Sequence, residues 1–414
     1  MTQSRFWNYE NLLVAVLGLG GAVAALDGQA LFYLSPFVAA DLHLDNARIG
    51  IVSTVVVLTW AISAFLVGTL SDRSGRRKPY LVGAFLAFGV FSGLSGLAAT
   101  FPVLLVARAL IGLAEGPVIP ISQSIMMAES SPARRGLNMG IVQNLGAQLV
   151  GSMLGPLIVV HLAERYSWHA AFFIAGIPGL VVALLVALSV REKSAGNERR
   201  DPTTAGRLSH ASAVLALLRY DNVRACLAIS CFVVAFYFLI LTFLPLYCVN
   251  VLHMTPTRMS VVLGCTGAAG VVSAAVVPYL SDRIGRKPAL ALFALLGVAA
   301  PLGALLFGGS FAILLATVFT GSLVPGTTPL FMGTIPMETV APDQAAAASG
   351  LILGVGSVIG GFAVPAFAGV LADQHSLAVP MWIALSAAIC ATISCLWLRE
   401  TAPAVLARRG ATAQ

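Results

Sequence analysis

Ser71-Asp72-Arg73-Ser74-Gly75-Arg76-Arg77-Lys78-Pro79 returns in this chain as Ser281-Asp282-Arg283-Ile284-Gly285-Arg286-Lys287-Pro288, beginning 210 residues later. The repetition extends beyond this stretch. Leu162-Ala163-Glu164-Arg165-Tyr166-Ser167 returns as Leu371-Ala372-Asp373-Gln374-His375-Ser376, 209 residues on, and Pro156 returns as Pro365. A near-constant offset at separate places argues for one duplicated unit. Both copies of the first motif are short and charged and lie between long apolar stretches. Each therefore reads as a loop joining two helices.

The apolar stretches set the class. The chain is 58% hydrophobic and only 10% charged, with a mean hydropathy of +0.91, outside the range of a soluble domain. Forty glycines fit close helix packing in lipid. The 414 residues hold twelve spans of roughly 20–25 residues with short loops. The apolar pattern predicts them over 11–35, 47–70, 80–99, 101–128, 137–161, 169–190, 224–250, 257–280, 288–307, 311–335, 345–372 and 378–398. The expectation is an all-α membrane protein with two pseudo-symmetric six-helix bundles, 1–190 and 221–398. A polar connector, 191–220, joins them, and a tail, 399–414, follows. The N-terminus reads as a retained first helix rather than a cleaved signal. The six cysteines lie unpatterned in the second half and read as packing residues, with no metal set.

Lys and Arg placement orients the spans. Twenty of the 24 lie at the N-terminus, the 71–79, 129–136, 191–220 and 281–288 loops, the tail, or their boundaries. Arg48, Arg165 and Arg258 lie on the other side, and Arg108 falls inside a span. The positive-inside rule makes the crowded side cytoplasmic. Both termini then lie in the cytoplasm, with the chain in a bacterial inner membrane. The net charge of +7 is thereby spent on topology and implies no nucleic-acid partner. The expected partner from this placement is the bilayer, with the chain a monomer.

Within the spans only Asp27, Arg108 and Glu115 remain as charges. A charge at the helix centre costs about 2.5–3.5 kcal/mol even on lenient insertion scales, so each needs a reason. Arg108 and Glu115 are seven residues apart, which is about 20° short of two helical turns and about 10.5 Å of rise. They point the same way at different depths. Between them, Gly112 and Gly116 at small-xxx-small spacing let a neighbouring helix approach. Pro117 and Pro120 free backbone carbonyls for a polar surrounding. The bland alternative is a structural ion pair that locks two helices. Polar residues at plausible depth include Gln29, Gln143, Asn144, Gln148, Tyr237 and Thr242. Pro325, Pro329 and Pro336 predict a bend in the tenth span.

Gly68 to Arg77 and its second copy closely resemble the loop signature of the major facilitator superfamily. That resemblance covers nearly the whole chain and implies transport by alternating access. It also implies a cytoplasmic latch made by Asp72, Arg73 and Arg76 in one loop and Asp282, Arg283 and Arg286 in the other. Within the superfamily, Arg108-x-x-x-Gly112-x-x-Glu115-Gly116 resembles the anion:cation symporter group. Asp27 matches the acidic position of that group's first-span signature, whose Asn, Tyr and Arg are missing here. Trp60 stands where the group usually has Tyr, and Trp168-His169-Ala170-Ala171-Phe172 resembles a widespread start of span six. A single intramembrane cation favours a simple monoanion. Asp27-Gly28 also resembles the start of aromatic acid:proton symporters, and Gly155-Pro156 a motif of drug:proton antiporters; each is a half match.

The implied function is proton-coupled symport of a small organic anion: a monocarboxylate, sugar acid or aromatic acid. Arg108 would bind the anion, with Glu115 and Asp27 as proton carriers and Gln29, Trp60, Gln143, Asn144 and Tyr237 as further contacts. An anion that neutralises Arg108 favours a proton on the neighbouring carboxylate, so the two ligands bind together. A proton-driven efflux antiporter is the alternative, and a non-transporting sensor a third reading. No nucleotide loop, dinucleotide turn or zinc-spaced set is present, so the chain reads as no enzyme and needs no cofactor beyond a proton gradient.

Overall fold

The computed structural model describes residues 9–131, 134–192, 216–341, 344–403 and 405–406. It has twelve helices long and apolar enough to cross a membrane. In the first half these are α1 (Tyr9–Asp41), α2 (Asn46–Ser71), α3 (Lys78–Gly96), α4 (Phe101–Glu129), α5 (Ala147–Arg165) and α6 (Trp168–Ser189). The second half has α7 (Asp221–Asn250), α8 (Pro256–Ile284), α9 (Arg286–Phe307), α10 (Phe311–Thr339), α11 (Ala347–Gln374) and α12 (Ala378–Cys395). All twelve expected spans are present. The largest shift is in the fifth span, where α5 starts at Ala147 rather than 137, after wide turns at Ile141–Leu145; α1 runs through Pro36 to Asp41. Most of the connector and the end of the tail, residues 193–215 and 407–414, lie outside the described residues.

Local chemistry explains where the helices start and break. Pro79 and Pro102 sit in the first turns of α3 and α4, where a missing N–H costs nothing. Ser167 caps α6, its hydroxyl accepting from the Ala170 N–H at 3.1 Å. α4 breaks at Gly116-Pro117, directly after Glu115. Pro117 has no N–H to offer the Leu113 carbonyl, and the Ser63 hydroxyl of α2 donates to that carbonyl instead, at 2.5 Å. α2 is also the neighbour that the two glycines admit. A Cβ on Gly116 would lie 2.6 Å from the Ala64 nitrogen and the Trp60 oxygen, and one on Gly112 would collide with Thr59 and Val56.

α10 is irregular where its prolines predict. A helix over Phe311–Gly321 gives way to a tight turn at Val324–Thr327, wide turns at Leu330–Thr334 and a last helix at Ile335–Thr339. Wide turns of the i→i+5 kind also run through Ile141–Leu145, Ala147–Leu154 and Ser357–Ala363. Nothing in the sequence pattern announces these.

The duplication is visible in the backbone. Gly75 and Gly285, at the same place in the two loop copies, both have positive φ, 64° and 110°. His43 and His253, 210 residues apart, adopt φ of 50° and 49°. A carboxylate that follows the sixth helix of each half caps the third. Glu192 accepts from the Arg77 N–H at 3.0 Å, and Glu400 accepts from the Arg286 and Lys287 N–H groups at 2.7 and 3.2 Å.

The chain forms two compact units: Met1–Asn197 with Cys248–Ala268, and Glu198–Tyr247 with Ala269–Gln414. The first unit has two apolar clusters. One gathers Leu13, Phe85, Phe88, Ile111 and Met126, and the other Leu26, Leu34, Leu104, Val159 and Phe172. Arg108 falls on α4 between Leu104 of one and Ile111 of the other.

Candidate functional site

Asp27, Arg108 and Glu115 converge on one turn of α1. Arg108 is wholly buried, with 0% of its surface exposed, as is Asp27, and Glu115 is 8% exposed. Arg108 Nη1 lies 3.7 Å from Asp27 Oδ2, and Nη2 donates to the Asp27 and Gly28 carbonyls at 3.2 and 3.0 Å. Gly28 leaves room for the Glu115 carboxyl: a Cβ there would lie 2.9 Å from Glu115 Oε2. The two α4 side chains point the same way, as the seven-residue spacing predicts, and both reach Asp27-Gly28. Arg108 itself has no exposed surface in this structure.

Two groups that the sequence did not assign to the site, Ser92 and the motif residue Phe172, complete the cluster. The Ser92 hydroxyl of α3 donates to Asp27 Oδ1 at 2.5 Å and lies 3.0 Å from the Phe172 carbonyl of α6. The Phe172 ring lies under the guanidinium, 5.5 Å from its carbon. A lone serine in an apolar span carries no sequence signature, so Ser92 was invisible until α3 met α1. Arg108 Nε and Nη1, Asp27 Oδ2 and Glu115 Oε1 are buried and make no hydrogen bond among the described residues. The Arg108–Asp27 contact is therefore a single long approach. It lacks the two parallel bonds by which an arginine holds a carboxylate most firmly.

The remaining expected residues are spread more widely. Gln29 Oε1 accepts from the Tyr33 hydroxyl at 2.7 Å and the Ser152 hydroxyl at 3.1 Å, which ties α1 to α5. Trp60 is half-buried, and its backbone packs against Gly112 and Gly116. The side chains of Gln143 and Asn144 lie outside the described residues. Tyr237 stands edge-on to its neighbour Phe238, centroids 5.2 Å apart.

The two loop motifs differ. The side chains of Asp72 and Arg73 lie outside the described residues, and Arg76 is exposed. In the second copy Arg286 is buried, bonded to Asp282 and to Ser281 Oγ at 3.1 Å. It also reaches Glu338 at 3.0 and 3.4 Å. Arg283 is exposed and lies over the Tyr279 ring, 4.3 Å from its centroid. Glu338 was not singled out from the sequence. The repeat held the signal: Glu129 stands 209 residues before it, at the end of the matching span.

The Major Facilitator Superfamily pattern matches residues 17–365. The chain belongs to that superfamily. Its matched relatives carry transporter names rather than enzyme names. The hexuronate transporter of Bacillus subtilis is 28% identical over 67% of this chain and 65% of its own length. The probable 4-methylmuconolactone transporter of Cupriavidus pinatubonensis is 31% identical over 66% of this chain and 63% of its own. The match thus spans slightly under two thirds of either protein. Shorter matches, over 46% and 44% of this chain, are to drug exporters. Among solved structures, the nucleoside transporter NupG superposes with a TM-score of 0.76 over 94% of this chain and 98% of its own, at 14% identity. That level of identity speaks to the fold alone, and the fold of this superfamily member is a twelve-helix, multi-pass membrane architecture.

Proposed function

We propose that this superfamily member is a proton-coupled symporter of a small organic anion, working by alternating access. The observation that carries the proposal is the buried cluster of one guanidinium with two carboxylates. With both carboxylates ionised the cluster has a net charge of −1 in a site without solvent. With one proton it is neutral, which is the state that burial favours. An incoming carboxylate that takes the Arg108 fork displaces Asp27 from its long contact. The displaced negative charge is then relieved by a proton on Asp27 or Glu115. Anion and proton each remove the penalty that the other faces alone.

In this reading Arg108 binds the substrate carboxylate, Glu115 is the principal proton carrier and Asp27 the exchangeable partner. Ser92 and Phe172 hold Asp27 and Arg108 in place. Gln29, Trp60, Gln143, Asn144 and Tyr237 are further substrate contacts. The substrate class is a monocarboxylate, sugar acid or aromatic acid, and a relative named for a hexuronate falls inside it. The Lys/Arg-rich loops lie in the cytoplasm of a bacterial inner membrane with both termini, and the monomer is the working unit. Asp72 and Asp282, with their arginines, latch the cytoplasmic face. Asp72→Asn is then expected to slow turnover while leaving substrate affinity within a few-fold.

Purified protein in liposomes tests the proposal. Uptake of a carboxylate that rises when the exterior is made acidic supports symport. Proton release on addition of a lipophilic cation, with no carboxylate uptake, would replace it with drug antiport, the reading that the exporter relatives favour.

A further inference from the structure

Gln29 on α1 has one end of its amide doubly engaged and the other end unused. The amide oxygen accepts from the Tyr33 hydroxyl at 2.7 Å and from the Ser152 hydroxyl at 3.1 Å. The amide nitrogen makes no hydrogen bond among the described residues, and the residue is only half-buried. A primary amide carries two N–H donors. Both are left for another acceptor, next to an Asp27 and an Arg108 that have no exposed surface of their own.

The two hydroxyls are themselves fixed. Tyr33 is 1% exposed and Ser152 8%. The Tyr33 ring lies against Gly155, where a Cβ would come within 3.2 Å of its Cε2, and its hydroxyl lies 3.1 Å from the Gly151 carbonyl. α5 comes this close to α1 because Gly151 has no side chain: a Cβ there would lie 2.7 Å from the Ala25 Cβ. A tie between two helices needs one hydrogen bond. A second donor on the same oxygen fixes the plane of the amide and the direction of its nitrogen.

The duplicated half lacks this arrangement. At the repeat offsets of 210 and 209, Gln29, Tyr33 and Ser152 correspond to Leu239, Phe243 and Gly361. Leu239 and Phe243 are wholly buried. The scaffold therefore packs at these positions without an amide or a hydroxyl, and the polar trio is an addition to the half that also carries the charged cluster. It lies close to that cluster. Arg108 Nη2 donates to the Gly28 carbonyl, which belongs to the peptide bond that begins Gln29. Successive helical residues are about 1.5 Å apart along the axis, so the guanidinium and the amide meet the same turn of α1.

We infer that Tyr33 and Ser152 are positioning residues that hold Gln29 as a hydrogen-bond donor, and that this donor selects organic anions carrying an acceptor oxygen beyond the carboxylate. The inference rests on the transport reading, in which Arg108 takes the carboxylate. It narrows the substrate class to oxygenated acids, such as hydroxylated sugar acids and hydroxylated aromatic acids. An acid without the second oxygen covers the two N–H groups and leaves them unpaired, which is the costly state.

Calorimetric binding to the purified full chain tests this with two pairs of probes: glucuronate against cyclohexanecarboxylate, and 4-hydroxybenzoate against benzoate. The second member of each pair keeps a six-membered ring and the carboxylate and has no other oxygen. In at least one pair the oxygenated acid is expected to bind about ten-fold or more tightly. Gln29→Leu, the residue of the second copy, should bring that ratio close to one. Ser152→Ala and Tyr33→Phe should each lower it several-fold, while Ser152→Thr, which keeps the hydroxyl, should retain it. A merely structural tie would lower the melting temperature and weaken both members of a pair alike. That pattern, equal affinity within both pairs for the unaltered chain, or an unchanged ratio in folded Gln29→Leu protein or in both hydroxyl variants would each overturn the inference and leave anion transport standing. Binding of none of the four probes by the unaltered chain would remove the anion reading and this inference with it.

Discussion

The two halves share a scaffold and keep their buried charge in different places. In the first half most of it lies inside the spans, at Asp27, Arg108 and Glu115, with Glu10 buried at the start of α1. At the repeat offsets of 210 and 209 the second half has Tyr237, Thr317 and Val324. The Thr317 hydroxyl donates to a carbonyl of its own helix, at 2.9 Å from Ile313 O. The second half concentrates its buried charge at the loop end instead, where Arg286 joins Asp282 and Glu338. What both halves retain is what builds helices and turns: the positive-φ glycine, the Lys-Pro start and the carboxylate cap. What differs is chemistry inside lipid, where charge is costly and has to be used. The repeated features are those that build the fold, and in the proposed function the unrepeated charges do the ligand work.

Five changes, with matched controls, would break or sharpen that contrast. The largest effect is expected at Arg108→Ala, which leaves two buried carboxylates without a cation and costs about 3–5 kcal/mol. It should appear as lost expression or a sharply lowered melting temperature, with much of the stability restored by Asp27→Asn combined with Arg108→Met. Thr317→Ala at the matching position should change stability by less than about 0.5 kcal/mol.

Arg286→Ala comes next. It removes hydrogen bonds to two carboxylates from a side chain only 10% exposed, and about 1.5–3 kcal/mol is expected. Arg76→Ala, its counterpart in the first loop, should stay within about 0.5 kcal/mol. Equal losses at the two arginines would remove the asymmetry. Arg108→Lys keeps the charge and loses the fork, so the protein should fold while carboxylate binding, read by calorimetry, weakens by about ten-fold or more. The smallest effect is expected at the caps. Glu192→Gln should cost about 0.3–1 kcal/mol and Glu400→Gln somewhat more, since Glu400 also accepts from the Thr401 and Ala402 N–H groups.

Much of the fold was legible because lipid imposes a coarse code. Apolar runs marked all twelve spans, the repeated loops marked the duplication, and Gly112 with Gly116 foretold a close helix contact. Finding that contact's partner, α2, needed the structure, because small residues admit any neighbour. The charged centre was legible for the same reason that it is costly: three charges stand alone in apolar spans. Ser92 was not legible, since its role depends on which helix faces α1. Gln29 shows the same limit in part. Its depth was legible, but that its oxygen accepts from Tyr33 and Ser152 depended on which helix faces α1. The wide turns of α5 and α11 follow from backbone register, which composition does not encode.

The central claim is that Glu115 carries the coupled proton, and Glu115→Gln tests it because glutamine mimics the protonated acid. The measurement compares anion exchange and pH-driven accumulation in liposomes made with the same folded Glu115→Gln protein. The account predicts that exchange survives and accumulation against a gradient is lost. Full pH-driven accumulation by this variant would contradict it and move the proton to Asp27.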